Sequence, residues 1–172
     1  MSAKAGGAKK GGKAKDVADD VQVILRNRKL RHDYHVVESW EAGMVLSGSE
    51  VKSLRGGDVQ WADAHAHLDG RGELWLYGLH IGEYKQAAMF GHKAAQPRKL
   101  LLNRRELDKL AGALKGKGRT VVPEQLHFKG GWAKIVVCLG EGKDRGDKRQ
   151  DLIKRAQTRD VEREMARRLK SR

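Results

Sequence analysis

The sequence predicts a mainly β protein: a small antiparallel barrel with two or three short helices, a basic flexible N-terminal arm and a basic C-terminal tail. Three observations predict it. Short apolar segments, several alternating with period two, are punctuated by glycine-rich turns through the middle of the chain. Only two segments there carry helical spacing, and both are short. Both ends are rich in Lys and Arg and poor in large apolar residues, so they bury too little surface to offset their ordering entropy. Short strands closed around few helices suit an OB-like architecture.

Residues 1–26 read as the flexible arm, with Lys4, Lys9, Lys10, Lys13 and Lys15 and no large apolar residue before Val17. The barrel is assigned to 27–139. Tyr34, Val36 and Trp40 share one face of an extended segment, with His35, Val37 and Ser39 on the other. Ser49–Arg55 is a short helix with Val51 and Leu54 on one side, ended by Gly56-Gly57. Ala64, Ala66 and Leu68 alternate with His65 and His67, and Asp69-Gly70-Arg71-Gly72 turns that strand into Leu74–Tyr77. Residues 82–96 lack periodicity and read as a long loop. Asn103 and Glu106 have capping-box spacing ahead of Leu107, Leu110 and Leu114, a helix stopped by Gly116 and Gly118. A last hairpin runs from Gln125–Phe128 through Gly130-Gly131 into Trp132–Leu139, whose end is apolar on both faces, as a barrel wall is.

Residues 140–172 form the tail. It carries 12 Lys/Arg against 7 Asp/Glu, and Ile153, Val161, Met165 and Leu169 make only a sparse stripe. So thin an apolar face gains little by packing on its own domain, so the tail is predicted disordered when free and helical against a partner.

Charge narrows the partner. The 172 residues carry a formal net charge of +14, a surface that gathers phosphates at physiological salt. The longest apolar run, Ile135–Leu139, is far below the ~18 residues of a membrane helix, so no membrane partner is predicted. The N-terminal lysines have no apolar region behind them that would make a secretory signal. A single cysteine, Cys138, fits a reducing cytosol, so the location read is cytoplasmic.

Catalytic and cofactor chemistry finds little footing. His65 and His67 share a strand face, and His32 and His35 lie close in sequence, but no CxxC or HExxH spacing completes a metal site. No GxGxxG or GxxxxGK[ST] string marks a nucleotide loop, and no nucleophile sits in a recognisable turn. No enzyme, metal or cofactor is predicted. The four tryptophans read as mostly core, with Trp61 the exception to test for base stacking. A specific RNA-binding adaptor stands against a general OB-type nucleic-acid binder or a metal-dependent RNA hydrolase.

The strings NRKLRHDYHV at 27–36, EAGMVLSGSEVKSLRGG at 41–57, WLYGLHI at 75–81, PRKLLLNRRELDKLAG at 97–112, GRTVVP at 118–123 and DKR at 147–149 occur in this order. Together they closely resemble the SsrA-binding protein (small protein B) family. The resemblance implies an OB-like barrel that binds the tRNA-like domain of transfer-messenger RNA and carries it to stalled ribosomes in trans-translation. It implies a tail that enters the empty mRNA channel and folds as a helix near the decoding centre, against small-subunit RNA.

That resemblance places Asn27, Arg28, Lys29 and Arg31 in a segment that touches RNA, where cations grip phosphates and Asn27 reads a base or sugar edge. Glu41 matches the glutamate of the family's EAG string. A carboxylate facing RNA must accept hydrogen bonds from base amino groups or a 2′-hydroxyl; the alternative is that it pairs with a neighbouring arginine. Lys52, Arg55, Arg98 and Lys99 are further backbone contacts. In the tail, Lys143, Asp147, Lys148, Arg149 and Lys154 are the ribosome candidates. Asp144 stands where many relatives have lysine, and Gly146 where some carry a histidine proposed to stack in the decoding centre. Tyr34 is the aromatic that could take that stacking role, although a tyrosine on an apolar strand face is commonly core.

Overall fold

A glycine pair starts the architecture. In the computed structural model, Gly130 and Gly131 both take positive φ, 57° and 82°, the conformation a two-residue hairpin turn demands. They join β6 (Arg119–Lys129) to β7 (Trp132–Gly142), the longest ladder in the molecule. The structure describes residues 21–84, 91–116, 118–144, 146–149, 157–159, 161, 163 and 165. Around that hairpin lie β1 (Val21–Arg26), α1 (Leu30–Asp33), β2 (Tyr34–Met44), α2 (Gly48–Arg55), β3 (Val59–Leu68), β4 (Leu74–Ile81), β5 (Arg98–Leu101) and α3 (Arg104–Leu114).

All pairings are antiparallel, and six strands close a ring in the order β6-β3-β4-β5-β2-β7, the last returning to β6. Closure is thinnest between β3 and β6, where Ala66 opposite Val121 is the one paired position. The same edge of β6 then pairs with β1, from Arg26 opposite Gln125 to Val21 opposite Lys129. The mainly β barrel is therefore as the sequence predicts, but its first strand lies inside the segment read as a flexible arm. That boundary is corrected from 27 to 21. Val21, Val23, Ile24 and Leu25 are strand-forming residues beside a basic, glycine-rich arm, and the free edge of β6 supplies their hydrogen bonds.

The barrel interior is filled by Leu74, Leu76, Leu79, Ile81, Leu126, Ile135 and Leu139, all fully buried, under α2 and α3 through Leu54 and Leu110. A second, smaller cluster lies outside the wall: Leu30 of α1, Val122 and Cys138, with Tyr34, Val36 and Val136 against it. This explains the two-faced apolarity of β7. Register shifts convert one cluster into the other along β2: beyond the irregularity at Val36/Glu38 the buried residues are Trp40 and Ala42 of the main core. A similar shift between Trp61 and His65 lets Val59 and Trp61 pack on the core ahead of it and Ala64 and Ala66 after it. There Asp63 has φ 52°, and Gly78 opposite has φ 69°, with space for no Cβ: one would lie 2.4 Å from the Ala62 carbonyl.

Both predicted helices form. Ser47 caps α2, its backbone N–H donating to Glu50 Oε2 at 2.7 Å. The backbone N–H of Asn103 donates to Glu106 Oε2 at 3.0 Å ahead of α3. The four-residue α1 and the strand β5 are additional. Described residues 82–84 and 91–96 form no strand, in keeping with the predicted loop.

Candidate nucleic-acid interface

The site is built on the outer face of β2, β6, β7 and β1 near the Gly130-Gly131 turn. Strand alternation puts Trp40 and Ala42 in the core, so Glu41 between them points out. Pairing across the sheet sets Glu41 beside Val136 and brings His127 opposite Lys134 and Lys129 opposite Trp132 on that same face. The result is a carboxylate ringed by cationic groups: His127 Nε2 at 3.3 Å, Lys134 Nζ at 3.7 Å and Lys129 Nζ at 4.0 Å. These distances are longer than tight hydrogen bonds, so the half-exposed carboxylate keeps acceptor capacity while the lysines offset its repulsion of phosphate. The predicted alternative of an arginine partner is corrected: the neighbours are two lysines and a histidine.

His127, Lys129, Lys134 and Trp132 were not singled out by sequence reasoning. Trp132 is 76% exposed, against the core placement read from its strand. The hairpin turn itself carries the signal, because a residue directly after Gly130-Gly131 sits at a barrel tip. His127 is 2% exposed, and its Nδ1 has no partner among the described residues.

The basic segment lies at the other end of β2. Tyr34 starts the strand and Glu41 is seven residues on, so the two places are roughly 20 Å apart at ~3.3 Å per residue. Arg28 and Lys29 are exposed there. Asn27 has a structural role there. Its Nδ2 donates to the Pro123 carbonyl at 3.1 Å, and its Oδ1 accepts from the backbone N–H groups of Lys29 and Leu30 at 3.2 Å each. It clips α1 to β6. Arg31 donates to Glu124 at 3.0 Å, and the other oxygen of that carboxylate accepts from the Cys138 thiol at 3.2 Å. Burial, followed by the adjacent Glu124, pushes that thiol up to about 12. Tyr34 is half-buried against the smaller cluster and lies so close to Gly140 that an added Cβ there would meet it at 2.9 Å.

The tail returns to this same end. Lys143 donates its backbone N–H to the Asp33 carbonyl at 2.9 Å and its Nζ to the Arg31 carbonyl at 2.8 Å. Lys148 Nζ lies 2.9 Å from Asp33 Oδ1. The Lys148 hydrogen bond, then one from His32, holds the Asp33 carboxyl below its ordinary range. Described tail residues 146–149 and 157–159 are helical. For the first turn the reason is the anchor on Asp33, which no local pattern reveals. Asp147 and Arg149 are exposed; Lys154 lies outside the described residues.

Arg98 is corrected outright as a surface contact. It is 2% exposed, donates from Nε to Glu50 Oε1 at 2.8 Å, and bonds the Leu79, Gln96 and Ala94 carbonyls. Alternation along β5 turns Arg98 and Leu100 inward. Lys99 faces outward and pairs with Glu73. Lys52 and Arg55 are exposed on α2, Lys52 5.1 Å from the Tyr84 ring and Arg55 5.7 Å from the Phe128 ring, which brings Arg55 towards the Glu41 end. Among the described residues no group of His, Cys, Asp and Glu is gathered for a metal ion, and no helix is long and apolar enough to cross a membrane.

The SmpB protein family profile matches residues 24–167. The SsrA-binding protein of Anaeromyxobacter dehalogenans (strain 2CP-C) is 48% identical over 159 residues, covering 92% of this chain and 96% of the relative. That of Corynebacterium glutamicum (strain R) is 46% identical over 158 residues, with the same shares covered. Among solved structures, a chain described as "tmRNA-SmpB: a journey to the center of the bacterial ribosome" matches with 40% identity and a TM-score of 0.59, over 74% of this chain and 93% of that one.

Proposed function

The chain belongs to the SmpB protein family, and from that premise we propose that it is an RNA-binding adaptor of trans-translation in the cytoplasm. The barrel binds the tRNA-like domain of transfer-messenger RNA and delivers it to stalled ribosomes. The tail then occupies the empty mRNA channel towards the decoding centre. The protein acts by recognition and placement, with no covalent step and no cofactor of its own.

One observation supports this reading most: the open carboxylate of Glu41 held among Lys129, Lys134 and His127. A purely electrostatic polyanion binder gains nothing from an exposed glutamate in its contact face. A reader of base amino groups or ribose hydroxyls does, because the carboxylate accepts from them while the lysines take the adjoining phosphates. The separation of this face from the tail's root supports two tasks on one body. A cationic helix in a channel lined with ribosomal RNA also detects whether message is present, because two polyanions cannot fill one groove.

The test is Glu41→Ala in a gel-shift titration with the tRNA-like domain. Affinity is expected to fall by about 1–3 kcal/mol, the scale of a charged hydrogen bond, with the melting temperature unchanged. Equal binding by the variant overturns the assignment of this face. Removal of the tail from Asp144 onward, which spares all of β7, should leave RNA binding intact and abolish peptide tagging.

A further inference from the structure

A cleft opens where the barrel closure is thinnest. β1 and β3 both pair with one edge of β6, β3 at Val121 and β1 from Gln125 onward, and they diverge between those points. A cavity of about 680 Å³ fills the divergence, within the ~300–1,000 Å³ range of small-ligand sites. Its walls differ in chemistry. Arg26, Arg28 and Lys29 line it from the end of β1, and Trp61 and His65 line it from β3.

Trp61 stands out. It is half-buried, packs against the main core and lines the cleft, and its indole N–H is buried without a hydrogen-bond partner among the described residues. A buried donor left unmatched costs stability unless something supplies an acceptor. The irregularity between Trp61 and His65 breaks the β3–β4 ladder there, and Asp63, with its positive φ, also faces the cleft. Asp33 is the second carboxylate in the wall, and its charge is taken up by Lys148.

We infer that this cleft binds one unpaired nucleotide of an RNA strand, the base against Trp61 and the flanking phosphates on Arg26, Arg28 and Lys29. The Asp63 carboxylate accepts from an exocyclic amino group, which favours adenine, guanine or cytosine over uracil. Aromatic contact with cations alongside is how proteins hold single-stranded nucleic acid, and it requires a base freed from its stack. The choice of RNA as the ligand rests on the proposed function; the site is separate from the Glu41 face and lies at the tail end of the barrel.

The experiment follows the four tryptophan indole N–H resonances of the full-length ¹⁵N-labelled protein during titration with single-stranded adenine and uracil RNA pentamers, with inorganic tripolyphosphate as a polyanion lacking bases. The expected result is a Trp61 shift with the adenine pentamer, weaker with uracil and absent with tripolyphosphate. Trp61→Leu should weaken adenine-pentamer binding by at least about fivefold, the low end for one stacked base, with Trp61→Phe in between. Arg28→Ala, outside the core, should weaken pentamer binding and flatten its salt dependence. Equal shifts with tripolyphosphate, or pentamer binding unchanged in both Trp61→Phe and Arg28→Ala, would overturn the site. So would a Trp61 shift given by free adenosine monophosphate while the pentamer gives none. Glu41→Ala should bind the pentamers normally while losing the tRNA-like domain. Failure of the cleft with that loss retained leaves the adaptor reading intact, and the converse removes the Glu41 face alone.

Discussion

Glu50 and Glu41 are both carboxylates among cations in a strongly basic protein, yet the fold treats them in opposite ways. Glu50 is 2% exposed and accepts from Ser47 N at 2.7 Å, Ser47 Oγ at 3.0 Å, Gln96 Nε2 at 2.9 Å and Arg98 Nε at 2.8 Å. Among the described residues, Glu41 has three cationic neighbours at 3.3–4.0 Å and no contact that tight. A saturated buried carboxylate holds α2 to β5 and has nothing left to offer a ligand. An unsaturated one, oriented but open, is what a recognition surface needs. Charge and residue type do not separate the two; access and satisfied lone pairs do.

Breaking the sealed pair should have the largest effect. Arg98→Met is expected to lower unfolding free energy by about 3–5 kcal/mol in urea titrations, because Glu50 is left buried and uncompensated. Adding Glu50→Gln should recover part of that loss; no recovery would mean that Arg98 acts mainly through the carbonyls it bonds. Acid sharpens the same contrast. Burial pushes the Glu50 carboxyl up, but the donors from Ser47, Gln96 and Arg98 outweigh it and hold the group below its ordinary range. A carboxyl lowered by folding stabilises the native state above its unfolded pKa, and that contribution is lost as pH falls through the folded value. Wild-type stability should therefore drop in acid more steeply than that of Glu50→Gln, measured by urea titration at neutral and acid pH.

Glu41→Ala is expected to move stability by less than about 0.5 kcal/mol while weakening RNA, the inverse of the Arg98 result. The most local effect belongs to the tail anchor. Lys148→Ala removes a part-exposed pair with Asp33 and should change global stability by at most about 1 kcal/mol. Amide exchange at 146–149 should nevertheless accelerate, and unchanged exchange there would show that the first tail turn does not depend on Asp33. The Cys138 thiol, buried and pushed up to about 12, should resist alkylation until the barrel unfolds.

Residues near one another along the chain carried their own instructions. Alternation in β3, the glycine pair between β6 and β7, and the Asn103 cap each depend on contacts within a few residues, so their chemistry is legible locally. The net charge likewise points to a polyanion, and the quoted strings to the family and its RNA. What only the tertiary structure decided depends on neighbours distant in sequence. Arg98 is internal because Glu50 awaits it across the barrel, and Asn27 is a clip because Pro123 lies beside it. Val21–Arg26 is a strand because β6 has a free edge, and Glu41 is open because its cations come from β6 and β7. Burial and hydrogen-bond satisfaction are properties of the closed sheet, and no window of sequence contains them.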